Sequence, residues 1–212
     1  ERPLPQGNLT VIQAFIFSIF IGVLGIIILN QINPHGGFFG LMSKSGFFGG
    51  LSILLYVLIY TPLKRISPFS ITMGAIPGAI PFLLGFVAAT DDFGLAAGTL
   101  FAIQFFWQFP HFIAIVWVRE VEYKNAGFKM MFGGEKGKHS ALIAIITSSA
   151  MLIISIIPFF WNCTDLILSV FGMLLIFFLG LWFVSQTIQL YLDSEDETAK
   201  KLMFASFKCL PL

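Results

Sequence analysis

Six long apolar segments leave this chain few folds other than a bundle of membrane-spanning helices. A spanning helix needs about 20 predominantly apolar residues, and only 11% of the 212 residues are charged, whereas soluble domains average about 25%. We predict helices over Leu9–Leu29, Gly46–Tyr60, Met73–Thr90, Leu95–Val118, Ala141–Phe160 and Leu166–Leu192, with a seventh apolar run from about Leu202 to Leu212. The composition therefore indicates an all-α, multi-pass membrane protein.

The basic residues divide unevenly between the two faces of this arrangement. Ten of the 12 Lys and Arg residues fall on the face that holds the N-terminus, Lys44 falls on the other, and Lys208 lies in the last run. Such asymmetry marks the cytoplasmic side of a membrane protein, or its organellar equivalent. No basic run suggests a nucleic-acid partner, and the two cysteines make no metal-ligand pattern.

Both ends of the sequence look like interruptions. The segment Glu1–Pro5 lacks the apolar run of a signal peptide, and the seventh run is too short to cross a bilayer. We therefore expect residues 1–212 to be a single transmembrane domain truncated at both ends.

A polar stripe runs along the fourth predicted helix. Gln104, Gln108 and His111 are spaced by four and then three residues, so they share one helical face within the string Trp107–Phe112. Polar groups at bilayer depth are costly unless they face protein or a wet cavity. We predict that the stripe lines a cavity that opens toward the charged loop after it. Hydrogen bonds that merely lock the helices together are the alternative.

The charged loops are the second candidate for chemistry. Glu120 and Glu122 alternate with Lys124 and Arg119, and such carboxylates and cations can hold Mg²⁺ and a phosphate together. An ordinary solvated loop is the simpler interpretation of this segment alone. Lys64 and Arg65 follow Pro62, which we expect to end the second helix. They are equally consistent with phosphate ligands and with topology anchors.

Two further motifs concern packing. Gly74, Pro77, Gly78 and Pro81 fall inside the third helix, where prolines break backbone hydrogen bonds and glycines permit close approach. Both effects place this helix in the bundle interior. In the acidic loop 193–197, Ser194 and Asp196 are suitable residues to cap the next helix.

Several strings, in this order, resemble one family. They are Arg-Pro-Leu-Pro at 2–5, Tyr-Thr-Pro-Leu-Lys-Arg at 60–65, Gly-Ala-Ile-Pro-Gly-Ala-Ile-Pro at 74–81, Trp-Gln-Phe-Pro-His-Phe at 107–112, Glu-Tyr at 122–123 with Ala-Gly at 126–127, and Ala-Ser-Phe at 205–207. The chain resembles the UbiA superfamily of intramembrane prenyltransferases over essentially its whole length. The strings at 60–65 and 107–112 place it with the branch that acts on protohaem IX.

The resemblance implies a helix bundle of nine spans around a central cavity, of which this chain would hold six complete helices and the start of a seventh. It implies transfer of a farnesyl group from farnesyl diphosphate to a vinyl group of haem B, which gives haem O for haem-copper oxidases. Mg²⁺ would act with the diphosphate. The implied setting is a bacterial or mitochondrial inner membrane, with the charged loops on the cytoplasmic or matrix side. Haem A synthase and oxidase assembly proteins would be its protein partners.

The resemblance also assigns roles to residues. Glu122 and the nearby Glu120 would be metal ligands, and His111 would face the haem as an iron ligand, a base or a hydrogen-bond partner. The residues expected to be catalytic are His111, Lys64 and Arg65, and those expected to contact substrate are Arg2, Gln104, Trp107, Gln108, His111, Tyr123 and Lys124.

Three positions depart from the family pattern. The first of its two acidic motifs is absent from the chain, Glu122 stands where Asp is usual, and Ser70 stands where Asn is usual. Without the first motif half of the metal site is missing, so we predict that residues 1–212 alone are inactive. Two other functions remain open: prenyl transfer to a quinone or chlorin, and a membrane transporter without a diphosphate site.

Overall fold

The structure is a computed structural model that describes residues 4, 6–33, 42–160 and 166–209. Within these ranges six helices are long and apolar enough to cross a membrane. They are α1 (Val11–Asn30), α2 (Lys44–Leu63), α3 (Ser70–Thr90), α4 (Leu95–Val118), α6 (Lys138–Phe160) and α7 (Val170–Asp193). A short helix α5 (Glu120–Asn125) follows α4, and α8 (Asp196–Cys209) is the last described element. The predicted multi-pass helical architecture is confirmed.

The second helix extends beyond its predicted bounds at both ends. Pro62 does not end it, because residues Leu55–Tyr60 form a π-helical turn and the helix continues to Leu63. A π turn bonds each N–H to a more distant carbonyl: the backbone N–H and the hydroxyl of Thr61 both donate to the Tyr56 carbonyl. The wider turn accommodates the proline ring, and α2 reaches spanning length.

The last helix also begins earlier than the apolar run suggested. Asp196 and Glu197 form the first turn of α8, where acidic side chains oppose the positive end of the helix dipole. Ser194 does not cap this helix; it takes the left-handed conformation, φ 54°, that ends α7. The predicted acidic loop is therefore mostly helical.

Helix α4 occupies the centre of the bundle. It packs against α3, α6 and α8, and twelve of its 24 residues are buried. By contrast, no residue of α1 is buried, and α1 contacts mainly α2. The helix that carries the polar stripe is thus surrounded by protein.

Helix α3 lies in the interior, as its prolines and glycines predicted. Its buried positions include Ile71, Ala75 and Ala79. Pro81 has no N–H for the carbonyl of Pro77, four residues earlier, and the hydroxyl of Ser52 on α2 donates to that carbonyl at 3.0 Å. An otherwise unsatisfied backbone acceptor is therefore paired between helices.

Contacts between loop segments occur at both ends of the bundle. At one end, which we call the basic end, the Lys129 N–H donates to the Lys64 carbonyl at 2.9 Å, and Lys136 pairs with Asp196 at 2.6 Å. At the opposite end Lys44 pairs with Asp91. The basic end therefore gathers the segments after α2, α4 and α7.

Candidate functional site

A cavity of about 560 Å³ lies at the basic end. Glu120, Tyr123 and Lys124, three of the predicted site residues, line it together with Lys129. Its wall also includes Val116 near the end of α4. The charged segment after α4 therefore lines a concave surface.

The end of α5 is built by a glycine. Gly127 adopts φ +72°, and the N–H groups of Gly127 and Phe128 donate to the carbonyls of Lys124 and Tyr123, respectively. This left-handed helix stop turns the chain back on itself. It packs the Phe128 ring against Tyr123, with ring centroids 5.8 Å apart.

Lys64 reaches this loop from α2. Its ammonium lies 4.9 Å from the centroid of the Phe128 ring and 5.7 Å from that of Tyr60, distances at which a cation is attracted by an aromatic face. It makes no ion pair within the described part of the chain. Arg65 is exposed and does not line the cavity. Of the two predicted basic residues, Lys64 is therefore the one placed at the loop.

The two predicted metal ligands have different surroundings. Glu120 is paired with Lys124 at 2.9 Å and with Lys136 at 3.7 Å, and its side chain is 17% exposed. Its hydrogen bond with Lys124 and the charge of Lys136 hold the pKa of the Glu120 carboxyl below its usual value. Because Lys136 also pairs with Asp196, Glu120 helps to tie the loop to the start of α8.

Glu122 is the more accessible carboxylate. It is 68% exposed and pairs with Arg119 at 2.9 Å, and it does not line the 560 Å³ cavity. The neighbouring Tyr123 is half-buried, and this burial raises the pKa of its hydroxyl. Among the described residues no group of three or more His, Cys, Asp or Glu side chains could hold a metal ion. Any Mg²⁺ here would depend on a carboxylate and phosphate oxygens together, a common arrangement for this ion.

A second cavity, of about 360 Å³, lies between α2, α3 and α4. Gln108 lines it with Tyr60 and Phe112, and Met130 lines both this cavity and the one at the basic end. Gln108 and the charged loop therefore line neighbouring cavities that share Met130 as a wall residue. The Gln108 amide also donates to the Ala75 carbonyl at 3.3 Å.

Two glycines of α3 make room for the polar side chains of this second cavity. A Cβ at Gly74 would stand 2.6 Å from the Tyr60 ring, and one at Gly78 would stand 2.8 Å from the Gln108 amide nitrogen. Real side chains do not approach so closely. The spacing of four residues places both glycines on one face, so they admit an aromatic ring and an amide where a methyl group would not fit.

The polar stripe does not face one cavity. Gln108 faces α3, whereas His111 bonds to Ser206 of α8 and lines neither cavity. Gln104 is buried, and its Oε1 has no partner in the described structure. Because α4 has neighbours on several sides, the modest angle between Gln108 and His111 is enough to give them different contacts. The interhelical hydrogen bonds that we considered as the alternative are therefore present for both residues.

The surroundings of His111 are aromatic. Trp107 stacks on its ring with centroids 4.5 Å apart and planes inclined by 16°, and Phe112 and Phe207 meet it edge to face. The indole N–H of Trp107 donates to the Ser206 carbonyl at 3.1 Å. The His111 ring is therefore partly buried and packs from α4 against α8.

Some site residues fall outside these observations, and others were missed. Arg2 lies outside the described residues. Phe128, Ser206 and Gly78 were not predicted as site residues, although Gly78 and Ser206 lie in strings that carried the family resemblance. Ser206 is 95 residues from His111, and no local pattern reveals such a contact.

Comparison with known proteins completes the description of the site. The model of the UbiA prenyltransferase family matches residues 1–208. The chain is similar over its whole length to proteins named protoheme IX farnesyltransferase. It is 42% identical to the protein from Flavobacterium psychrophilum, 44% identical to that from Christiangramia forsetii and 40% identical to that from Flavobacterium johnsoniae, and it covers 68% of the length of each. No solved structure shows significant similarity to the chain.

Proposed function

The chain belongs to the UbiA prenyltransferase family, and from this membership we propose that it transfers a farnesyl group from farnesyl diphosphate to a vinyl group of haem B. Its relatives over the full length of the chain carry the name protoheme IX farnesyltransferase. The substrates and the product haem O follow from that similarity. The geometry of the basic end supports the same chemistry.

One observation carries the assignment of the diphosphate to the basic end. The Lys64 ammonium rests on Phe128 beside the Glu122–Tyr123 segment, and it makes no ion pair with the described carboxylates. A fixed cation with uncompensated charge stabilises the negative charge that develops on a departing diphosphate. Arg65 adds a second positive charge next to it in the chain.

The second cavity suits the prenyl chain. It is about 360 Å³, within the range of about 300–1,000 Å³ for small-molecule sites, and it shares the wall residue Met130 with the cavity at the basic end. Apolar walls that exclude water would protect the allylic carbon as its bond to the diphosphate breaks. The vinyl group of haem would then supply the electron pair for the new carbon–carbon bond as diphosphate leaves, and addition of one water with loss of a proton would discharge the cation left on the former vinyl group.

We further propose that Glu122, not Glu120, is the carboxylate available to Mg²⁺. Glu120 already neutralises two lysines, whereas Glu122 is exposed and has one partner, Arg119. When bound, the ion would neutralise diphosphate charge. The lysine distribution favours a basic end on the cytoplasmic or matrix side. In that orientation a water-soluble diphosphate would reach the basic end directly.

The test is conversion of haem B to haem O by the complete gene product in lipid vesicles with farnesyl diphosphate and Mg²⁺, followed by mass spectrometry. We expect product from the wild type, a loss of about 100-fold in Lys64→Met and little change in the control Lys44→Met, whose lysine pairs with Asp91 at the opposite end. Prenylation of a quinone precursor without haem O would refute the proposed acceptor. Equal activity of the two variants would refute the placement of the diphosphate.

A further inference from the structure

Ser206 forms the centre of a hydrogen-bond group that joins α8 to α4. Its hydroxyl lies 2.6 Å from the Met203 carbonyl on the same helix and 2.8 Å from Nδ1 of His111 on α4. Its carbonyl accepts from the Trp107 indole. Ser206 itself is fully buried. Two polar contacts to α4 therefore fix this residue against the face that carries His111, and the third holds its hydroxyl within α8.

The protons in this group can be assigned by elimination. A carbonyl oxygen cannot donate, so the short contact between Ser206 Oγ and the Met203 carbonyl requires the hydroxyl proton. A serine hydroxyl has only one proton to give. Its oxygen must then accept from His111, and Nδ1 must carry a hydrogen. In the neutral imidazole this leaves Nε2 with a free lone pair.

We propose that Ser206 is a positioning residue that holds His111 as its Nδ1–H tautomer and so directs the Nε2 lone pair to a Lewis acid, the iron of the haem substrate. Histidines that ligate a metal almost always donate the other ring N–H to a protein acceptor, and the contact with Ser206 supplies that acceptor. Nε2 makes no hydrogen bond with the described residues, and Trp107 stacked on the ring limits its rotation. The role of the lone pair rests on the proposed function, whereas the tautomer does not.

The tautomer is tested by nitrogen NMR of the ¹⁵N-histidine-labelled complete protein in detergent micelles at neutral pH, without haem. The signal of His111 is identified by its loss in His111→Gln. We expect the wild type to show a protonated Nδ1 and an unprotonated Nε2. Ser206→Ala should shift His111 toward the Nε2–H form, and Ser206→Thr, whose hydroxyl can make the same bond to a helix carbonyl, should restore the wild-type pattern.

A matched control separates this effect from loss of a serine in general. Ser185 on α7 makes a bond of the same length, 2.6 Å, to the Trp182 carbonyl but does not touch His111. Ser185→Ala should leave the His111 signals unchanged. A wild-type His111 protonated at Nε2, or a Ser206→Ala variant with the wild-type tautomer, would overturn the proposal.

A second measurement addresses the use of the lone pair. Titration of ferric haem B into the same variants, followed by the Soret absorption, should show an affinity about 10-fold lower for Ser206→Ala and unchanged for Ser185→Ala. Unchanged haem affinity in Ser206→Ala together with a shifted tautomer would overturn the ligation role. Failure to form haem O with the tautomer as expected would instead count against the proposed function alone.

Discussion

Gly78 lies so close to the Gln108 amide that the loss of stability in Gly78→Ala can be predicted from the distances between them. In Gly78→Ala the new Cβ would meet Oε1 of Gln108 most closely and would stand 2.8 Å from Nε2 and 2.9 Å from Cδ, where carbon atoms in contact prefer about 3.5–4.0 Å. The amide must retreat by roughly 0.6–1 Å to restore that separation. Its hydrogen bond to the Ala75 carbonyl is already 3.3 Å long, so the retreat breaks it.

The free-energy cost follows from the burial of that amide. Gln108 is 4% exposed, and an unpaired buried polar group costs about 1–3 kcal/mol. Replacing glycine by alanine within a helix offsets this by about 0.5–1 kcal/mol. Gly85→Ala, on the same helix with no described atom within 4 Å of the added Cβ, is the matched control. The offset cancels in the comparison, so Gly78→Ala should be less stable than Gly85→Ala by about 1–3 kcal/mol.

The assay is equilibrium unfolding in mixed detergent micelles, with tryptophan fluorescence as the signal. The expected difference corresponds to about 5- to 150-fold in the unfolding constant. Truncating the amide should remove the clash, so in a Gln108→Ala background the two glycine variants should have equal stability, as in a double-mutant cycle. If Gly78→Ala and Gly85→Ala are equally stable in the wild-type background, the amide is not held in the contact described.

Two further predictions concern the carboxylates of the basic end. Because its pairing with Lys124 and Lys136 lowers the pKa of Glu120 in the folded protein, the stability that it contributes should be complete above its ordinary pKa of 4.5 and lost as the pH falls through the lower folded value. The free energy of unfolding, measured against pH, should show this decrease at acid pH in the wild type but not in Glu120→Gln. The control Glu197→Gln removes an exposed ion pair of the same spacing and should behave like the wild type. A decrease that persists in Glu120→Gln would contradict the assignment. For Mg²⁺-dependent activity Glu122 should matter more than Glu120. Glu122→Gln should raise the Mg²⁺ concentration for half-maximal activity about tenfold or more, in line with the effect of weakening a metal site. A larger shift in Glu120→Gln would show that the metal carboxylate was misassigned.

Much of the fold could be predicted because membrane spans depend on long apolar runs. The bounds of α4 were predicted at both ends, the last residues of α3 and α6 were predicted as well, and the remaining ends of the spans differ by one to four residues. The path of α2 through Pro62 was not predictable from proline's usual effect, because a π turn compensates for it. The start of α8 was missed because its first turn is acidic and the apolar run begins only at Leu202.

The candidate site was predicted less completely, since its contacts join distant parts of the chain. Spacing alone placed Gln108 and His111 on one face, but only the packing of α3 and α8 around α4 shows that they have different partners. Likewise, the lysine pattern placed Lys64 at the basic end, whereas the choice of Phe128 as its support depends on the helix stop at Gly127. Sequence patterns identified the helices; which of their residues meet depends on tertiary packing.

The π turn in α2 has a consequence for how the basic pair is aimed. Successive side chains along a helix are rotated by about 100° around its axis. The extra residue of the π turn Leu55–Tyr60 therefore rotates all the side chains that follow it in α2. Deleting one residue there would leave a segment still of spanning length but would swing Lys64 away from Phe128. The π turn therefore sets the rotation of the last part of α2 about the helix axis. Insertion or deletion of a single residue there would change the direction of Lys64 and Arg65 while the apolar span keeps nearly the same length.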